Sequence, residues 1–299
     1  MVKVVIIGTI GLDTITTPFG QVDGVLGGSA TYASFASSFF AKTGIVSIVG
    51  EDFPEEHYQM LTKRGICLNG LAKKGKTFRW QGLYEFDMNE AKTLNTELNA
   101  VSEFEAELPE EYKNAEYVFL GNIDPELQLK VIEQLKNPKV VAMDTMNFWI
   151  ESKKDKLIEV IKKIDVLVIN DGEARQLFDT TNLVAAGKKI LGLGVKAVII
   201  KKGEHGALLF TNNSHFNAPG YPLENVKDPT GCGDSFGGAL IGYLAKAGKL
   251  NDKVLRKAIV YATSIASHNA EDFSLERMKK LSNKEINARF KEIKNIRKF

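Results

Sequence analysis

Six short apolar runs rich in β-branched residues recur along this 299-residue chain, most of them followed by a longer segment with helical spacing. They are VKVVIIG (2–8), GIVSIVG (44–50), YVFLG (117–121), KVVAMD (139–144), DVLVIN (165–170) and KAVIIK (196–201). Near-continuous apolar strands suit a parallel sheet covered on both faces, because side chains on either side of the pleat are then buried. The segments 28–41, 55–64, 125–136, 152–163, 171–178 and 182–191 read as the crossover helices. This β-α-β rhythm predicts an α/β fold with three layers, helices on both sides of a mostly parallel central sheet. Ligands in such sheets sit beyond the carboxyl ends of the strands. Asp13, Asp144, Asn170 and Gly203 fall at or just past those ends.

One region breaks the rhythm. In KTFRWQGLYEF (76–86), strict alternation puts Phe78, Trp80, Tyr84 and Phe86 on one face, the pattern of a half-buried antiparallel strand. AKTLNTELN (91–99) can pair with it, and 10–26 is turn-rich and extended. The expected division is a main domain over 1–9, 27–70 and 100–299, with a small β lid from 10–26 and 71–99. The alternative is that these segments extend the main sheet. Stripes at Phe236, Leu240, Tyr243 and Leu244, and at Ile286, Phe290, Ile293 and Ile296, place core-facing helices in the C-terminal third.

Composition excludes several classes. A formal charge of +2 carries no electrostatic footprint for nucleic acid or an anionic membrane. No apolar run reaches the roughly 18 residues that span a bilayer. Cys67 and Cys232 have neither metal-ligand nor disulfide spacing, as expected of a cytoplasmic protein. His57, His205, His215 and His268 are scattered, and no Walker A pattern occurs.

The densest chemistry lies in DPTGCGDSFGG, Asp228 to Gly238, ahead of a long apolar helix. A helix N-terminus offers unpaired N–H groups and partial positive charge. Gly231 and Gly233 would let an anion approach the backbone, and Asp234 beside it can accept a hydroxyl proton. Locally, Asp234 as a simple helix cap fits equally well. Cys232 reads either as a small neighbour or as a thiol activated by the helix end.

The stretch resembles the second signature of the ribokinase-like (PfkB) family of carbohydrate and nucleoside kinases. Gly27-Gly28 resembles that family's first signature, and Asp13, Gly50 with Asp52, Asn170-x-x-Glu173 and KKGEHGA (201–207) follow in family order over essentially the whole chain. The resemblance implies a phosphotransferase using ATP and Mg2+, with a monovalent cation such as K+ as a further candidate. It implies Asp234 as catalytic base and Gly231, Cys232 and Gly233 as the anion hole. Asp13, Gly27 and Gly28 would hold substrate hydroxyls, joined by Tyr32, Arg79 and Asn147 as candidates. Lys201, Gly203, Gly206 and Thr230 would line the nucleotide, with Thr263 and Ser267 toward adenine. Asn170 and Glu173 would serve the nucleotide and reach magnesium through water. The expected acceptor is a primary hydroxyl of a small sugar; the alternatives are an adenosine-type nucleoside kinase and a catalytically silent binding protein. A homodimer through the lid is a further expectation.

Two departures bear on substrate. Tyr32 stands where relatives carry Asn, either packing or binding. Asp144-Thr145-Met146-Asn147-Phe148-Trp149 lacks the usual Arg, which argues against an already phosphorylated substrate. Together with the aromatic lid, where Trp80 could lie over the substrate, Tyr32 tilts the reading slightly toward a flat ring.

Overall fold

The computed structural model describes residues 2–298. Its main sheet has nine strands in the order β13-β12-β11-β10-β9-β8-β1-β4-β5. These are β1 (Val4–Ile7), β4 (Thr43–Val49), β5 (Cys67–Lys73), β8 (Tyr117–Leu120), β9 (Val140–Met143), β10 (Val166–Asn170), β11 (Ala197–Lys201), β12 (Ala207–Phe210) and β13 (His215–Ala218). Strands β5 through β11 in that order run parallel, and β12 is antiparallel to both its neighbours. The all-apolar strands follow from burial on both faces. Val4 and Ile6 enter one core while Val5 and Ile7 enter the other, and β8 to β11 divide their residues in the same way.

β1 lies between β4 and β8, so the chain leaves it toward one edge and later returns on the other side. That switch point opens a crevice at the strands' carboxyl ends. Helix Ser29–Ser37, buried along its whole length, packs there beside helix Cys232–Ala247. The packing is close because Gly238 has no side chain: a Cβ there would lie 2.0 Å from the Ala33 carbonyl oxygen. Gly238 therefore serves helix packing, while Gly237 makes room for the Phe119 ring of β8.

A separate four-stranded sheet has the order β3-β2-β6-β7, from β2 (Gly11–Thr17), β3 (Gly20–Gly27), β6 (Phe78–Leu83) and β7 (Lys92–Glu97). β6 pairs antiparallel with β7 and parallel with β2. The alternation seen in the sequence breaks at an irregularity between Gln81 and Gly82. Beyond it Tyr84 turns inward with Ile15 and Phe273, whereas Phe86 is fully exposed rather than part of the stripe. Strand β5 also carries the main sheet to Lys73, past the expected boundary at 70. No helix among the described residues is long and apolar enough to cross a membrane.

Candidate active site

The N-terminus of helix Cys232–Ala247 is shaped by Gly231, whose φ of 73° is the left-handed conformation that favours glycine. A Cβ there would also strike the Tyr32 ring at 2.3 Å, so Tyr32 packs flat beneath the turn. The Cys232 amide donates to the Pro229 carbonyl at 3.1 Å. The amides of Gly231, Gly233 and Asp234 have no backbone acceptor among the described residues. Free donors for an anion thus come from the glycines, since the Asp234 amide faces its own carboxylate and the Cys232 amide is spent on Pro229, which corrects the expectation for Cys232. The Cys232 thiol turns away, 3.4 Å from the Ala266 carbonyl oxygen and 3.6 Å from the Asn269 amide nitrogen. Burial pushes it up to about 12, so the activated-thiol reading fails. Desolvation here outweighs the helix end.

Asp234 is half-buried beside these donors, and desolvation together with the Asp144 charge pushes its carboxyl up to about 6. Lys201, at the end of β11, approaches from the facing side: a Cβ on Gly233 would lie 3.1 Å from its Nζ. Lys201 Nζ pairs with Asp144 at 2.5 Å, and the two side chains are 17% and 5% exposed. Burial alone would lower the lysine, but Asp144 and Glu173 outweigh it and hold it charged. Burial raises Asp144 in turn, and Lys201 opposes that. Glu173 is pushed up to about 7 by burial, opposed by Lys201 and reinforced by Asp144 and Asp234. The residues that meet at the helix end are therefore Asp144, Glu173, Lys201 and Asp234. Such perturbed groups gather where charge is to be handled.

Asn170 and Glu173 close a capping box on helix Asp171–Phe178, with 2.8 Å and 2.7 Å bonds to each other's backbone amides. The box uses Oε2 of Glu173, while Oε1 has no bond of its own. No cluster of three His, Cys, Asp or Glu able to hold a metal occurs among the described residues. A metal ion held here would need phosphate and water to complete its shell, and Glu173 Oε1 would be free to accept from such a water.

On the lid side, Asp13 in β2 is 3% exposed, and its carboxylate lies against the Gly27 Cα. Burial, then the Asp228 and Asp234 charges, push it up to about 8 against the Gly28 amide. Asp13 Oδ1 and the Tyr32 hydroxyl are both buried without a hydrogen-bond partner. Two orphaned polar atoms in one pocket are what a polyhydroxylated ligand would satisfy. Thr230 Oγ1 meets the Tyr84 hydroxyl at 3.3 Å, and Asn269 braces the Thr230 carbonyl at 2.8 Å. Asn89, at the lid tip, touches the Cα of Gly203, which begins the turn that ends at Gly206.

Other expected residues do not join this group. Arg79 leans 3.8 Å from Asp52, whose carboxylate is fastened to Thr77 at the lid's root. Asn147 is exposed, its side chain accepting the Phe148 amide at 2.9 Å. Thr263 and Ser267 are buried and donate to carbonyls of their own helix, Asp252–Asn269, at 3.0 Å and 2.9 Å. Sequence reasoning set Asp144 at a strand's carboxyl end without giving it a role, and it missed the partners Tyr84 and Asn269.

Comparison with known proteins agrees with this geometry. A model of the pfkB family of carbohydrate kinases matches residues 8–278. The chain belongs to that family. Membership makes it a carbohydrate or nucleoside kinase of the ribokinase fold, a phosphotransferase acting on a hydroxyl. It is 32% identical over 251 residues to a cytidine kinase of Thermococcus kodakarensis, covering 81% of this chain and 89% of that protein. It is 25% identical to a ribokinase of Lactococcus lactis, over 98% of both chains. Among solved structures, a nucleoside kinase of Burkholderia thailandensis in complex with inosine superimposes with a TM-score of 0.81, at 20% identity over 97% of each chain. A putative ribokinase II of E. coli in complex with ATP and Mg2+ gives a TM-score of 0.80, at 21% identity over 98% of this pfkB chain and 100% of the other.

Proposed function

We propose that this pfkB kinase phosphorylates the primary 5′-hydroxyl of a ribonucleoside, cytidine foremost, with ATP as donor and magnesium as cofactor. The observation that carries the chemistry is Asp234, a half-buried carboxyl raised to about 6 beside unpartnered glycine amides at the helix end. A base of that strength is ionised at neutral pH yet more basic than an ordinary carboxylate. It takes the hydroxyl proton as the phosphoryl group arrives, while the Gly231 and Gly233 amides and Lys201 meet the charge on the transferring oxygens. Magnesium, when bound, neutralises phosphate charge; Glu173 would orient its water and Asn170 would fix Glu173. Gly203, Gly206 and Thr230 would follow the nucleotide, with Thr263 and Ser267 toward its ring. Asp13, Gly27 and Gly28 would take the ribose hydroxyls. Burial keeps the Asp13 carboxyl protonated at neutral pH, so one oxygen donates and the other accepts. Tyr32 adds a hydroxyl to the same pocket.

The nucleoside is favoured over a simple sugar by the cytidine kinase, similar over most of both chains. The ribokinase that spans 98% of both chains favours the sugar reading in second place. A silent protein would have no need for both Asp234 and the free glycine amides. ADP release from ATP and Mg2+ across cytidine, uridine, adenosine, inosine, ribose and fructose tests this, with cytidine expected to turn over fastest. Ribose or fructose fastest would replace the acceptor, and no release with any of them, together with no ADP binding, would overturn the kinase reading.

A further inference from the structure

We propose that this chain carries a second nucleotide site, on the face formed by strand β13 and helices Asp252–Asn269 and Asn283–Ile296. A cavity of about 360 Å³ there is lined by Phe216, Tyr243, Arg256, Lys257, Val260, Tyr261, Phe290, Lys294 and Arg297. Four of these are cations, and none is an acid. None of the four has a carboxylate within 4.0 Å among the described residues, although Arg277 and Arg289, on the neighbouring surface, are each tied to glutamates. Arg256 and Arg297 both sit over one ring, Phe216, with guanidinium carbons 5.3 Å and 4.2 Å from its centroid. Two like charges on one phenylalanine repel each other, and an anion between them would remove that cost.

The other half of the cavity is flat. Tyr243, Tyr261 and Phe290 form a stacked ladder with centroids 4.7 Å and 4.1 Å apart and planes tilted by 25° and 21°. An aromatic platform beside arginines suits a base with phosphate attached rather than phosphate alone. The volume lies at the small end of ligand pockets, roughly 300–1,000 Å³, and fits one nucleotide. A broader groove of about 900 Å³ adjoins it through Tyr243 and Lys257 and adds Lys249 and Lys253, neither of them paired with a carboxylate. The cavity borders the adenine side, since Val260 is one helical turn from Thr263, but its paired arginines stand away from it: from Arg256 to Ser267 is about 16 Å of helix.

The test is ADP uptake by the whole protein, counted by equilibrium dialysis. Wild-type protein takes up a second equivalent beyond the catalytic one. In Arg256→Gln/Arg297→Gln, which keeps the stems over Phe216, affinity for that second equivalent falls at least about tenfold. Turnover of the acceptor stays at the wild-type value, so the result is read apart from the kinase assignment. Tyr261→Leu weakens ADP there but not inorganic pyrophosphate. A single equivalent in the wild type, or a second one indifferent to the glutamines, overturns the proposal. So does pyrophosphate binding as tightly as ADP with no effect of Tyr261→Leu, which makes the site one for bare anions. Uptake of a short single-stranded oligonucleotide in place of ADP also overturns it.

Discussion

The floor of the catalytic crevice and the lid above it are built on opposite terms. The floor ends strands buried on both faces, and its Asp144, Glu173 and Lys201 are ionisable groups withdrawn from water, with the half-buried Asp234 beside them. The lid is a sheet with one covered face, and its edge strand β7 is exposed along its whole length. Only Asp13 of the lid strands brings a deeply buried ionisable group into the crevice. Low dielectric makes charges strong and their geometry strict, whereas a half-exposed sheet can move and shed water. Chemistry belongs to the floor, and substrate hydroxyls and water exclusion belong to the lid.

Removing the base should break the floor's function most. Asp234→Asn lowers turnover by roughly 10²–10⁴ with the fold intact, read by steady-state kinetics beside a melting curve. Lys201→Ala should cost less in rate but more in stability. It leaves Asp144 unpaired in a buried position, a loss of about 3–5 kcal/mol in chemical denaturation. The paired change Lys201→Met/Asp144→Leu would restore most of that stability without restoring activity.

The lid's charge is tested by pH. The Asp13 carboxyl holds its proton to about 8 in the folded chain and to an ordinary 3.8 unfolded. Its contribution is therefore fully present at acid pH and lost as pH rises through about 8. Asp13→Asn should gain several degrees of melting temperature relative to wild type between pH about 5 and about 8.5, while acceptor binding weakens. Equal gains at both pH values would contradict the buried-carboxyl account. The smallest effect is Tyr84→Phe. It removes one 3.3 Å hydroxyl contact with Thr230, worth about 0.5–1.5 kcal/mol, and should raise KM for the acceptor more than it changes kcat.

The same contrast governs what was legible beforehand. The inner strands of the main sheet announce themselves, since burial on both faces demands an unbroken apolar run. β13, with exposed His215 and Asn217 alternating with buried Phe216 and Ala218, carries no such run and was not singled out. The lid's alternation gave β6 but not the irregularity at Gln81 and Gly82 that turns Tyr84 inward and Phe86 outward. In the site, strand-end and glycine spacing marked Asp13, Asp144, Asn170 and Asp234, and the family resemblance added Lys201. Side-chain direction was invisible: Cys232 turning to Ala266, Arg79 to Asp52, and Tyr32 beneath Gly231 depend on helices and strands distant in sequence.

The most direct measurement is the pH dependence of kcat/KM for wild type and Asp234→Asn with the same acceptor. The wild type should lose activity as pH falls through about 6, where the Asp234 carboxylate takes up its proton. The asparagine variant should lack that contribution in its residual rate. Ionisation of ATP affects both proteins equally and cancels in the ratio of wild-type to variant kcat/KM, so that ratio should fall as pH drops through about 6, and a ratio that stays flat there would contradict Asp234 as the base.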